Sequence, residues 1–412
     1  MLFQPLRHVT SHRLPNGLRV LLKEEHGWPL VSVQAWVRVG SVDENESEAG
    51  LAHVLEHMVF KGTTRHAASD ISRWVEAQGG ALNAETSKEY THYYIDLPSS
   101  GIARAVHLVA ELLCRATLDP KEWARERAVI LEEMKRRHDD AETMAWELLQ
   151  EAVYADPAHA RSVIGSLETV SALSAEDVRH FYEAHYTAEN TWVVIVGDFK
   201  SAEVLKRLRQ EFKSMPKCVQ RPARPVTVLQ RTAVPKSLKK PVQQAYALYG
   251  FPTAAASHPD QEALDLLAVL LGDGRNARLV HTLREEKGLV WSVGATNITQ
   301  EGPGIFAVFT ECAAKKRPAV GPAVAAILHG LKRRPPTIEE VGRAKNLIQT
   351  SWLQGYETFH NQAATLGSYA LENQLPRLKG YLPKILSLRA RDLRRVIDRY
   401  FFQELRSAVV EP

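Results

Sequence analysis

Cysteine is scarce in this chain, and its placement excludes as much as its number. Cys114, Cys218 and Cys312 stand about a hundred residues apart with no C-x-x-C pair. An odd count without close spacing supplies no disulfide framework, so the thiols read as small buried apolar residues in a reducing compartment. Long apolar runs are also missing. None approaches the roughly 18 residues that a membrane span needs, and the first residues, MLFQPLR, hold no apolar stretch of the signal-peptide kind. These absences make the cytoplasm the expected location and a membrane an unexpected partner. Charge of one sign is just as thin. Lys and Arg number 52 against 48 Asp and Glu, a formal net charge of +4, and no basic–aromatic stripe occurs, so no nucleic-acid partner is expected.

What is present is a globular balance of 45% hydrophobic and 24% charged residues over 412 positions, enough for two domains of roughly 200 residues. Leu14-Pro-Asn-Gly-Leu reads as a turn into a strand, and Val31–Val39 alternates apolar and polar residues as a half-buried strand does. A helix over about Ala49–Phe60 follows. Further strands are expected at His92–Leu97 and Thr191–Val196, and further helices at Ala68–Gln78, Ile102–Arg115, Pro120–His138 and Ala175–His185. Strands and helices mix without strict alternation, which argues for an α+β fold with mainly antiparallel sheets.

From Lys213 to Pro241 the texture changes. Five prolines and eight basic residues fall between Lys213 and Pro241, while no Asp or Glu occurs between Glu211 and Asp260. This reads as a semi-rigid linker. Beyond it the order restarts: a strand over Gln243–Tyr249, a polar stretch, and a helix over Glu262–Leu271. The chain therefore divides into a domain at 1–212, a basic Pro-rich linker at 213–241 and a related domain at 242–412, a pseudo-twofold repeat.

One half is armed and the other blank. His53-Val-Leu-Glu56-His57 places two histidines one helical turn apart on one face, about 6 Å between Cβ atoms. Both imidazoles can then converge on one ion at about 2.0–2.1 Å, the usual zinc–nitrogen distance. Glu56 borders the same face, placed to take a proton from metal-bound water, and H-x-x-E-H is the inverted zinc-peptidase order. Chance recurrence of histidine on an amphipathic helix is the competing explanation. Leu51, Val54, Leu55 and Met58 make this helix mainly buried, however, and buried polar groups need a shared partner. The equivalent helix of the second half carries Leu-Leu-Ala-Val-Leu-Leu, with no ligand-type side chain. A catalytic zinc takes a third protein ligand, and the helix from Pro120 offers Glu122, Glu126, Glu132 and Glu133. Glu126, Val129, Ile130 and Glu133 share one stripe. Glu133 is thus the expected third ligand, with an interior salt bridge as the alternative, and Glu126 reads as a carboxylate orienting a ligand histidine.

Together these residues resemble the inverzincin peptidases, the family of pitrilysin, insulin-degrading enzyme and the mitochondrial processing peptidase. The matching stretches are Gly40-Ser41, Glu44, Gly50–Thr63, Gly79–Ala84, Thr91–Tyr93, Glu126–Glu133, Phe181-Tyr182 and Gly197–Phe199. The resemblance implies one Zn2+ per chain held by His53, His57 and Glu133, with Glu56 as general base. It implies an edge strand near Asn83 and Ala84 that pairs with a peptide substrate. In the second half it implies that Arg284 reaches the substrate. A tyrosine is implied seven residues later, where this chain has Trp291; simple core packing is the other reading of that indole. It further implies a zinc-dependent endopeptidase working as a homodimer or as a heterodimer with a related chain. A catalytically silent or partner-dependent subunit of a larger complex is the alternative.

Overall fold

The structure is a computed structural model that describes residues 4–217 and 224–412. Cys218 and residues 218–223 of the expected linker lie outside the described residues. The chain packs into two compact units, and neither is contiguous. The first comprises Met1–Met134, Ser162–Pro225 and Gly355–Lys379, and the second Lys135–Arg161, Val226–Gln354 and Gly380–Pro412. Each unit thus takes a segment from the opposite half of the sequence, which the contiguous boundaries 1–212, 213–241 and 242–412 do not contain.

The first unit is built on a six-stranded sheet of β1 (Val9–Arg13), β2 (Arg19–Glu24), β3 (Leu30–Val37), β4 (Ala81–Thr86), β5 (Thr91–Pro98) and β6 (Thr191–Gly197). Their order is β1-β2-β6-β3-β5-β4, antiparallel throughout except for the β2–β6 pair. The second unit holds β7 (Lys236–Lys239), β8 (Ala245–Ala255), β9 (Ser292–Ile298), β10 (Pro303–Cys312) and β11 (Arg406–Glu411), in the order β7-β11-β8-β10-β9. Here too a single pair, β7–β11, is parallel. The route β2-β6-β3-β5-β4 therefore recurs as β7-β11-β8-β10-β9. A helix follows the central strand in both, Leu51–Met58 after β3 and Gln261–Gly272 after β8. The fold is α+β, two sheets each packed with helices.

The exchanged segments explain the largest departure from the sequence pattern. β3 alternates in sequence, yet Val31–Val37 is buried on both faces, including Ser32 at 1% and Gln34 at 0% exposure. The helix Phe359–Leu371 covers the face expected to meet water. Gln34 donates to the carbonyl of His360 at 3.0 Å, which satisfies a buried amide that would otherwise be costly. A Cβ on Gly367 would lie 2.2 Å from Trp36 Nε1, so glycine permits the close approach. In the second unit the helix Ala141–Val153 plays the same part, setting Ala145, Leu149 and Val153 against Leu248, Ala307 and Ala408.

The described parts of the expected linker are docked. Arg224 pairs with Asp43 through two nitrogens at 2.9 and 3.0 Å. Gln230 N donates to Val153 O at 2.8 Å, and Lys236–Lys239 forms β7. Its proline spacing did not betray a strand because a strand this short is set by its partner β11 alone.

Candidate metal centre

The helix Leu51–Met58 has only eight residues and would not hold alone. Its position comes from burial and from one carboxylate. Leu51, Val54, Leu55 and Met58 are 1% exposed or less. Gly50 begins the helix at φ +100°, where a Cβ would meet Ile164 O at 2.7 Å, a site that only glycine fits. Buried Glu44 accepts from Gly50 N at 2.9 Å and Ala52 N at 2.8 Å, satisfying donors that a helix start leaves open. Glu44 entered the sequence reading only through the resemblance; this capping role follows from its contacts.

The third carboxylate comes from the helix Pro120–Asp139. Its buried stripe is Trp123, Glu126, Ile130 and Met134, whereas Val129 is 48% exposed. The expected stripe thus shifts by a fraction of a turn. Val129 leaves it, Glu126 lies at its centre and Glu133 at its border. Glu132 is on the exposed side.

His53, His57 and Glu133 come together. His53 Nε2 lies 3.6 Å from Glu133 Oε1, and His57 Nε2 lies 3.4 Å from Glu133 Oε2. All three ligand atoms fall within 4.8 Å of one another. Zinc bonds of about 2.0–2.1 Å in a tetrahedron set ligand atoms about 3.4 Å apart. Hydrogen-bonded partners would approach to about 2.7–3.0 Å instead. The spacing thus fits an ion between the three groups better than a direct salt bridge. His53 Nδ1 is buried without a hydrogen-bond partner, so the ring's compensation must come through Nε2.

His57 is oriented differently. Its Nδ1 donates to Glu126 Oε1 at 2.9 Å, which turns Nε2 toward Glu133, the orientation a ligand histidine requires. Lys61 Nζ holds the other Glu126 oxygen at 2.7 Å. Burial raises the Glu126 pKa, but the bonds from His57 and Lys61 outweigh it and keep the carboxyl below its ordinary range. Burial alone would lower the His57 pKa; Glu126 and Glu133 prevail and raise it to about 9. The two imidazoles, His53 foremost, hold Glu133 far below the ordinary carboxylate range against the effect of burial.

Glu56 sits beside this triad and accepts a hydrogen bond from the Thr86 hydroxyl. Thr86 was not foreseen, although the pattern Asn-Ala-x-Thr at 83–86 ends on it. It closes β4, and β4 is one of the two edge strands of the sheet among the described residues. Asn83 and Ala84 lie on this edge strand, Asn83 opposite Tyr94 and Ala84 opposite Tyr93. In the second unit Arg284 lies on a π-helical segment, Val280–Glu286, and donates to Glu285 at 2.9 and 3.0 Å. Trp291 is 56% exposed, so it does not pack in a core.

Another cluster of ligand-type groups, His107, Glu111 and Glu211, lies elsewhere in the first unit. Arg115 at 2.8 Å and Arg65 at 3.3 Å already pair with Glu111, and Arg207 pairs with Glu211 at 2.8 Å. Arginines supply the positive charge there, which makes it an ion-pair network. Cys114 and Cys312 are both free thiols, Cys312 buried.

Residues 19–166 match the family model of insulinase, peptidase family M16, and residues 172–348 match the peptidase M16 inactive domain. A Mycobacterium leprae protein named an uncharacterized zinc protease is 32% identical over 362 residues, 87% of this chain and 81% of that protein. The chain belongs to the M16 peptidase family. The zinc protease PqqE of Helicobacter pylori is 28% identical over 402 residues, 95% of this chain and 90% of its own length. The crystal structure of a protease from Helicobacter pylori matches with a TM-score of 0.91 at 26% identity, covering 98% of this chain and 99% of that one. A chain of complex III2 from Candida albicans shares the fold at a TM-score of 0.86 and 15% identity. Among the described residues no helix is long and apolar enough to cross a membrane.

Proposed function

We propose that this chain is a zinc-dependent endopeptidase that hydrolyses peptides or extended polypeptide segments. The observation that carries the reading is the 3.4–3.6 Å spacing of the His53 and His57 nitrogens from Glu133, the edge length of a zinc tetrahedron. Zinc, when bound by these three residues, supplies a Lewis acid that polarises a scissile carbonyl and acidifies water. Glu56 accepts the proton from the attacking water and returns it to the leaving amine. Thr86 fixes one Glu56 oxygen, so the other is the one that works. Glu126 orients His57. The open edge of β4 at Asn83 and Ala84 binds the peptide backbone by strand addition, which tolerates many sequences.

In the same reading Arg284 and Trp291 belong to the substrate-binding surface, and a second chain, identical or related, completes the working enzyme. Free thiols at Cys114 and Cys312 agree with a cytoplasmic setting. The test is metal analysis of the purified chain together with digestion of a peptide mixture, repeated on Glu56→Gln. The expected result is one zinc in both proteins and a rate lower by about 10²–10⁴ in the variant. Wild-type turnover in Glu56→Gln sinks the mechanism. A zinc-loaded wild type that cuts nothing supports a silent subunit instead.

A further inference from the structure

A cavity of about 550 Å³ lies at the end of the first unit's sheet remote from Glu56. Trp28, Leu30, Leu97 and Phe359 supply apolar walls, and Ala81, where β4 begins, forms part of its lining. Trp28 is 71% and Leu30 49% exposed, so two large apolar groups stand open to water at its mouth. The polar wall is partly paired: His360 Nδ1 bonds Asp96 Oδ2 at 2.8 Å, while Asp96 Oδ1 is buried without a hydrogen-bond partner. An apolar guest side chain gains by burial against Trp28, Leu30, Leu97 and Phe359.

The strand geometry connects this cavity to the metal centre. Thr86 at one end of β4 reaches Glu56, so its side chain points to the side that carries the metal-site helix. Ala81 stands five residues earlier on the same strand, opposite Asp96. Side chains alternate along a strand, so an odd separation puts Ala81 on the opposite side, which is where Asp96 meets His360 of the helix Phe359–Leu371. A peptide strand added to β4 repeats this alternation, because residues paired across a ladder share a face. A peptide residue facing Thr86 then points toward the metal centre. The residue five positions away, about 17 Å along an antiparallel strand, points toward the cavity.

We propose that this cavity is a distal specificity subsite that takes a bulky apolar side chain about five residues from the cleaved bond. The inference rests on the reading of β4 as the peptide-binding edge. It adds a side-chain preference to recognition that would otherwise depend on backbone alone.

The experiment uses the full-length zinc-loaded enzyme and Ser/Ala-rich peptides in which a single Phe walks along the chain, with cleavage sites located by mass spectrometry. The expected result is a peak in kcat/KM, about tenfold above the Phe-free peptide. The peak should appear when Phe lies about five residues from the cut on one side, and it should arise mainly from KM. Trp28→Ser and Leu30→Ser, both at exposed positions, should flatten the peak. A flat profile from an enzyme that does cut the peptides overturns the subsite and leaves the peptidase reading standing. A peak that survives both substitutions also overturns it. Absence of zinc-dependent cleavage on every peptide sinks the peptidase reading and the subsite with it.

Discussion

The two units run the same strand order around a helix placed after the central strand, yet the two helices do opposite work. Leu51–Met58 presents His53, Glu56 and His57. Gln261–Gly272 presents Leu264, Leu266, Leu267, Leu270 and Leu271, each 0% exposed. Each buried leucine contributes about 1.5–3 kcal/mol through its loss of water contact, without a polar partner. The metal-site helix also buries Leu51, Val54, Leu55 and Met58, but its start and its polar side chains need partners. Glu44 holds its start, Glu126 (itself held by Lys61) holds His57, and Thr86 holds Glu56. The fold therefore does not require the site. The site is an addition that several other elements must support, and a unit without it needs none of them.

That contrast can be broken most severely at the ligands. His53→Ala, His57→Ala and Glu133→Ala should each lose zinc on dialysis and lose peptide cleavage, while Glu132→Ala keeps both. Zinc quantitation on the four proteins decides it, and zinc loss in Glu132→Ala with retention in Glu133→Ala would reverse the assignment. The matching substitution in the blank unit should cost stability alone. Leu267→Ala removes a side chain of 0% exposure and should lower unfolding free energy by about 2–5 kcal/mol, with zinc content unchanged. Urea denaturation with metal analysis would show whether the two properties separate.

Whether the blank unit touches the reaction is a smaller and sharper question. If Trp291 stands where an aromatic hydroxyl would serve, Trp291→Tyr should raise kcat by up to about 10², and Arg284→Ala should lower it. Neither should alter zinc content, and unchanged kinetics in both would make the second unit a bystander. Within the armed unit, Thr86→Val removes one hydrogen bond to a carboxylate and should lower kcat about tenfold. The conservative Thr86→Ser should restore most of it.

The smallest effect is on the metal-free protein. Folding raises the His57 pKa from 6.5 to about 9, against burial, through Glu126 and Glu133. The stabilisation from its proton is therefore complete below pH 6.5 and fades as pH rises through about 9. Melting of the chelated protein should fall over that window, and the fall should be absent in His57→Ala. No equivalent step is expected from the leucine helix.

Local periodicity made much of this legible without coordinates. The helices Ile102–Arg115 and Ala175–His185 fall on the expected residues. His53 and His57 at i and i+4 must share a helix face, and Glu126 and Glu133 at i and i+7 nearly do, because 3.6 residues make a turn whatever surrounds it. The repeat of strand, loop and helix was visible for the same reason. Contacts between residues far apart in sequence left no such trace. Nothing near Phe359 announces that its helix covers β3, so a strand with an alternating pattern was expected to be half-buried. Val129 matched the stripe by type and lies outside it, because the helix rolls to bury Trp123 and Met134. Thr86 and Glu44 act on the helix of His53 across 30 and 8 residues of chain respectively. A hydrogen bond of that kind is decided by which backbone segments the fold brings within 3 Å or so of each other, and no spacing rule in the sequence encodes that distance.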